Sequence, residues 1–304
     1  INELVEKLKS EHQFNEPHLQ GQILLITGSY SEAARWFLDQ KEDTKDNLHV
    51  VLAMHVAGLI DSSIILRPLI NHAIDIFKAN HEAAVRYLGL IRDKNNLVEA
   101  LTEFVIKADR GYRIFEIDEN EICKSEQGNE LSLSTLSSNR ISPIEAVVLP
   151  EIIKEVLQRA SYEARRRDMY ELTIKLYELS HNYEAILHYD CLILKNVIEN
   201  HASAKQYINI IQHHYALLLE SSDEIDVSSL RIMYLLIKLA NACEFERLNM
   251  YDRAVNEFEE TQLFPTSKEL ASSKYEQLMS MHNDIIFQVI PVVILSALRC
   301  YYNM

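Results

Sequence analysis

Apolar residues recur along this chain every three to four positions. Leu149, Ile152, Ile153, Val156, Leu157 and Ala160 share one helical face, as do Ile186, Tyr189, Ile193, Leu194, Val197 and Ile198. Ile286, Val289, Ile290, Val293, Ile294, Ala297 and Leu298 repeat the pattern near the end. The spacing predicts helices over about 2–11, 17–28, 31–40, 45–60, 66–79, 81–92, 95–108, 150–167, 169–180, 183–199, 201–220, 227–249, 251–262, 267–280 and 282–303. None of these carries a heptad seam sustained over many turns, so no long coiled coil is expected. The connections are short, which makes successive helices antiparallel neighbours.

One stretch breaks the rhythm. Residues Asp118 to Ser142 are polar, rich in Ser and Asn, and aperiodic, which predicts an exposed loop and the first site of limited proteolysis. It divides the chain into helical segments 1–117 and 143–304, read as parts of one continuous body. After it, Ser142-Pro143-Ile144-Glu145 has the order of a helix start: cap, proline in the first turn, glutamate at the third position. Pro150 then either kinks that helix or opens the real one, and Pro291 should kink the last.

A faint repeat runs through the turns. Gly28-Ser29-Tyr30, Asn182-Tyr183 and Asn249-Met250-Tyr251 each place a tyrosine just before a helix start that contains alanine. The small residue lets two helices approach and the ring fills the turn. The repeats are unevenly spaced, unlike the period of ~34 of tetratricopeptide arrays, so they suggest an irregular α-solenoid of antiparallel helices.

Composition agrees. The 304 residues contain 6 Gly and 6 Pro, where average usage would give about 21 and 15. Turn-rich β folds and phosphate-cradling loops consume glycine, so the expected class is all-α. Hydrophobic residues make up 48% of the chain, enough for a core. The net charge of −15 argues against a nucleic-acid binder and against docking on an anionic membrane. Cys123, Cys191, Cys243 and Cys300 lie far apart and read as reduced intracellular thiols. The apolar run from Ile285 to Leu298 is shorter than the ~20 residues that span a bilayer and reads as a buried helix, with no direct membrane insertion. A chain that starts on Ile1 in helical sequence reads as a piece of something longer, with no signal peptide in view.

Motifs for chemistry are missing. There is no GxGxxG, no GxxxxGK[ST] and no GxSxG. His81-Glu82-Ala83-Ala84-Val85 opens like a zincin helix, but Val85 stands where the second histidine should be, and Glu82 reads as a charge at a helix N-terminus. His181, His188 and Cys191 would share a face only if one helix covered them, and the Asn182-Tyr183 turn separates them. His213 and His214 point to different faces. Arg165-Arg166-Arg167, between Glu163 and Asp168, reads as a solvated helix end, with a nuclear-import signal or phosphate patch as the sharper alternative. Asp118-Glu119-Asn120-Glu121 lacks the alternation and glycine of a calcium loop. No catalytic, cofactor-binding or metal-binding residue is therefore assigned, no cofactor is expected, and no stoichiometric zinc.

The specific signal lies in the order of whole segments. Residues 22–38 (QILLITGSYSEAARWFL) are followed by 48–53 (LHVVLA), 83–91 (AAVRYLGLI), 172–183 (LTIKLYELSHNY), 250–254 (MYDRA), 263–267 (LFPTS) and then Ile285 to Tyr302. In this order they resemble the C-terminal half of the nucleoporin interacting component family, the nucleoporin 93 class of helical scaffold proteins. The resemblance covers about Gln20 to Tyr302. It departs from the family at Asn80-His81, where an Asp-Pro pair often opens the helix, and in the length of the polar loop.

The resemblance implies an elongated, fold-back α-solenoid related to coat elements, in the inner ring of the nuclear pore. It implies no enzyme activity and no cofactor. The partners it implies are short segments of a linker nucleoporin and the large inner-ring scaffold nucleoporins. The N-terminal coiled coil that recruits channel nucleoporins would be missing from these residues. The other class of function open to such a chain is a helical-repeat adaptor elsewhere, such as a coat or lid subunit. In either case the helix from Asp284 to Tyr302, apolar nearly all round, reads mainly as core, with any exposed remainder free for a partner. On that reading Ile290→Asp should unfold the C-terminal region.

Overall fold

The computed structural model describes residues 17–40, 44–117, 142–200, 205–220, 225–265, 269–281 and 283–304. These contain fourteen α-helices, one 3₁₀ turn and no strand. The chain divides into two compact units between Ser180 and His181. The loop expected over 118–142 lies outside the described residues except for its last residue, Ser142, and so does the helix expected over 2–11.

The first unit contains α1 (Pro17–Ile26), α2 (Tyr30–Asp39), α3 (Thr44–Val56), α4 (Ser62–Phe77), α5 (His81–Leu88) and α6 (Lys94–Lys107). The 3₁₀ turn Gly111–Phe115, α7 (Pro150–Arg166) and α8 (Tyr170–Leu179) complete it. Each of α1 to α5 packs on its successor, as do α7 and α8, while α6 packs on both α4 and α7. Its core runs continuously from Leu24 to Leu176, with Ile65, Leu69, Leu88, Leu101, Phe104 and Val156 among the residues sealed inside.

The second unit contains α9 (Tyr183–Glu199), α10 (Lys205–Glu220), α11 (Val227–Arg247), α12 (Tyr251–Glu260), α13 (Leu270–Ser280) and α14 (Asp284–Asn303). The long α11 is central, touching α9, α10, α12 and α14. Eleven of its residues are buried on nearly every side, which is why its sequence shows no single apolar stripe. The peripheral α13 buries no residue fully.

Helix starts follow a local chemistry. Asp61, Asn80, Asp93, Asn182, Asp226 and Asn283 each accept a backbone N–H from the first turn of the helix they cap. The cap at Asp61 explains why α4 starts at Ser62, several residues before the expected 66. Pro68 thus falls inside the helix rather than in its first turn. The cost of one missing hydrogen bond is offset by burial of Ile65, Leu69 and Ile70.

Of the two roles open to Pro150, it takes the opening of a helix, at the first position of α7. Ser142 and Glu145 still form the return half of a capping box, in which the glutamate accepts the N–H of the cap residue. The Ser142 N–H and Oγ donate to Glu145 Oε2 at 2.7 and 2.9 Å. The box closes a turn rather than a helix, because the Ile144 N–H is held by the Ile114 carbonyl at 3.1 Å and its side chain is buried.

The tyrosine turns share one backbone geometry. Gly28, His181 and Asn249 have φ of 76°, 53° and 57°. The next residues, Ser29, Asn182 and Met250, have ψ of 56°, 68° and 63°, and Tyr30, Tyr183 and Tyr251 then begin helices. Asp168-Met169-Tyr170 is a fourth case not apparent from the spacing, with φ of 55° at Asp168 and ψ of 73° at Met169. At three of the four, the residue after the left-handed one donates back over the helix end: Ser29 to Leu24, Met169 to Ala164 and Met250 to Phe245.

Only the first of these turns uses glycine, so the others carry strain. A left-handed side-chain residue costs about 1–2 kcal/mol, partly returned by the lower backbone entropy of a non-glycine chain when unfolded. Asp168→Gly is therefore expected to raise stability by about 0.5 kcal/mol. A thermal melt with a small upward shift and unchanged helicity would show it.

Candidate interaction surfaces

The residues that hinted at chemistry are dispersed. Val85, in the place of a zincin's second histidine, is fully buried in the core. Glu82 sits in the first turn of α5 and pairs with Arg86 at 2.6 Å, and the His81 ring lies 4.3 Å from that of Phe77. His181 occupies a left-handed turn, His188 is exposed and Cys191 is buried, so the three do not converge. His213 is exposed, whereas His214 is buried with its Nδ1 2.9 Å from Asp190 Oδ2, tying α10 to α9. Arg166 and Arg167 both reach Glu163 at the exposed C-terminal end of α7, at 2.8 and 3.7 Å. The acidic run 118–121 and Cys123 lie outside the described residues.

Cys191, Cys243 and Cys300 are buried free thiols. Burial pushes Cys191 and Cys243 up to about 12 and Cys300 to about 11, so none offers a thiolate near neutral pH. Among the described residues no group of three His, Cys, Asp or Glu side chains could hold a metal ion.

Three rings that no motif signalled meet in the first unit. His49 on α3 lies 3.0 Å from the Tyr87 hydroxyl on α5, and the His72 ring on α4 stands edge-on to both. His72 Nε2 is buried without a hydrogen-bond partner. Burial, then the nearby His49 and Lys45, hold the His72 imidazole below its ordinary value, against the opposing pull of Asp75. The unfolded chain takes up a proton near pH 6.5 that the folded chain resists. Stability is therefore present above pH 6.5 and falls as the pH drops below it. Urea titrations at pH 7.5 and 5.5 should show this loss, and His72→Leu should make it smaller.

Two surfaces have the form of interaction sites. Between α6 and α7 runs a groove of about 900 Å³ lined by Glu99, Thr102, Glu103, Ile106, Gln158 and Tyr162, among others. Thr102 Oγ1 is buried there without a partner, and Tyr162 stands 67% exposed at the rim. Glu155 of α7 pairs with Lys94 across the two helices at 3.1 Å and with Arg159 of its own helix at 2.7 Å.

The second surface is α14. Ile286, Val289, Val293, Ala297 and Cys300 are buried against a unit in which α9, α11 and α12 are its neighbours. Ser296, also buried, donates to Glu246 at 2.6 Å, and Arg299 reaches the same carboxylate at 3.5 Å. The opposite side exposes Ile294, Leu295, Leu298, Tyr301 and Tyr302. Of the described helices, only α14 is long and apolar enough to cross a membrane, and 33% of its most apolar window is buried. Its one-sided burial and its polar bonds to α11 are those of a helix packed on a protein core. Pro291 lies on the exposed side, where water can take the carbonyl it leaves without a donor.

No curated protein matches the chain. A family model described as Nup93/Nic96 matches residues 1–304, the whole of it. The ordered segments, the all-helical architecture and this match agree, and the chain belongs to the Nup93/Nic96 family of nucleoporins, scaffold components of the nuclear pore complex in the nuclear envelope.

Proposed function

We propose that this chain is an inner-ring scaffold of the nuclear pore. It acts by protein–protein contact rather than catalysis, and so supports pore assembly and nucleocytoplasmic transport. Its partners on this reading are short segments of a linker nucleoporin and the large inner-ring scaffold nucleoporins. The family match carries the reading, because it spans every residue of the chain. It favours the pore over a coat or lid adaptor, which would share the helical architecture.

The α6–α7 groove supports it further. The groove has the size of a site for a few side chains of a bound segment, with an aromatic ring exposed at the rim. Affinity purification of the tagged chain under mild lysis tests the proposal. Inner-ring nucleoporins should co-purify, and Tyr162→Asp should selectively reduce the linker nucleoporin. Recovery of coat or proteasome-lid subunits instead would overturn it.

A further inference from the structure

We propose that the α6–α7 groove takes a segment of a partner protein in which a lysine or arginine adjoins an apolar side chain, with the cation held at Glu99 and Glu103. The proposal rests on the reading of the groove as a site for a bound segment and specifies the chemistry of that segment. Glu99, Glu103 and Ile106 line the groove at i, i+4 and i+7, one stripe of α6. Tyr162 lines it from α7.

Charge selects the occupant. The α7 wall is neutralised within the chain: Glu155 holds Lys94 and Arg159, and Glu163 holds Arg166 and Arg167. The α6 wall is not. Glu103 has Lys107 one turn further on, whereas Glu99 is exposed and makes no ion pair among the described residues. Like charges four residues apart on a helix repel, and Lys107 offsets only one of the two. A cation from the partner set between these carboxylates removes the repulsion, and an anion there adds to it. A purely apolar segment would desolvate Glu99 with nothing in return.

The aromatic ring favours the same segment. Tyr162 is 67% exposed, so its ring is open to a neighbouring apolar side chain or to the stem of a lysine or arginine. The face of such a ring also attracts a cation. At longer range the net charge of −15 draws a cationic segment toward the chain.

Photo-crosslinking from Gln158→benzoylphenylalanine, at an exposed position lining the groove, tests this in the purified assembly. Light joins the probe to the occupant, and mass spectrometry reads the joined segment. That segment should carry Lys or Arg beside an apolar residue, without an excess of acid. Glu99→Lys with Glu103→Lys should lower the yield of the link about tenfold, at unchanged helicity and melting temperature. Glu220→Lys with Glu276→Lys, at exposed positions in the second unit, changes the overall charge equally and should leave the yield as it was. An acidic or uncharged segment, or a yield that ignores the reversal at Glu99 and Glu103, would overturn the proposal while inner-ring nucleoporins still co-purify. So would an equal loss from the distant pair, a link to this chain alone, or no link. If no inner-ring nucleoporin co-purifies, the scaffold reading fails and this proposal fails with it.

Discussion

Val293→Asp is expected to unfold residues 181–304, while Leu298→Asp, five residues further along the same helix, leaves the fold intact. Val293 is fully buried where α14 meets its unit's core, and Leu298 is 60% exposed. The first substitution removes about 1.5–3 kcal/mol of apolar burial and places an unpaired carboxylate where no donor waits. The combined cost of about 3–5 kcal/mol or more is a large fraction of the ~5–15 kcal/mol that holds a domain folded. Circular dichroism should show partial loss of helix, and hydrogen exchange should assign that loss to α9, α11, α12 and α14. Native-like protection there in Val293→Asp would refute the assignment of that face as core. Ile290, the position the apolar pattern singled out, is only half-buried. Aspartate at that position can turn toward water, so Ile290→Asp should cost less than Val293→Asp. The periodicity identified an apolar helix but could not rank its positions by burial.

Phe104→Ala should cost the first unit about 3–5 kcal/mol. Phe104 is among the largest fully buried side chains, and its ring stands edge-on to Phe77 of α4 with centroids 5.1 Å apart. Truncation removes the transfer free energy of the ring and leaves a cavity between α4 and α6, which pack on each other. The edge-to-face pair adds about 0.5–1.5 kcal/mol beyond burial. Urea unfolding should therefore show a lower midpoint for Phe104→Ala, and a cycle with Phe77→Ala should reveal coupling of that size. Additive effects of the two substitutions would mean that the rings pack independently.

The reading of the chain as helical needed no tertiary information. Apolar spacing, scarce glycine and short polar connections each point to helices, and the α9, α12 and α14 expectations lie within about two residues of the observed spans. Turn chemistry was partly legible too. Three tyrosine turns stood out through a shared tyrosine and alanine, but Asp168-Met169-Tyr170 lacks the nearby alanine and is revealed only by its backbone angles. The expected start of α4 at 66 lies four residues past the observed Ser62, where the Asp61 cap and the buried Ile65 show that the helix has already begun.

Surfaces were the least legible. A leucine on the outside of α14 and a leucine in the core of α11 have the same side chain, and a helix apolar nearly all round offers no phase to tell them apart. The sequence alone determined helix content, the order of segments that marks the family, and the absence of a local catalytic motif. Tertiary structure alone decided that Thr102 is unpaired in a groove, that His49, His72 and Tyr87 meet across three helices, and that Val293 faces inward while Leu298 faces out. The reason is physical. Helix formation is governed by interactions within four residues, whereas burial depends on which distant helices arrive to cover a face.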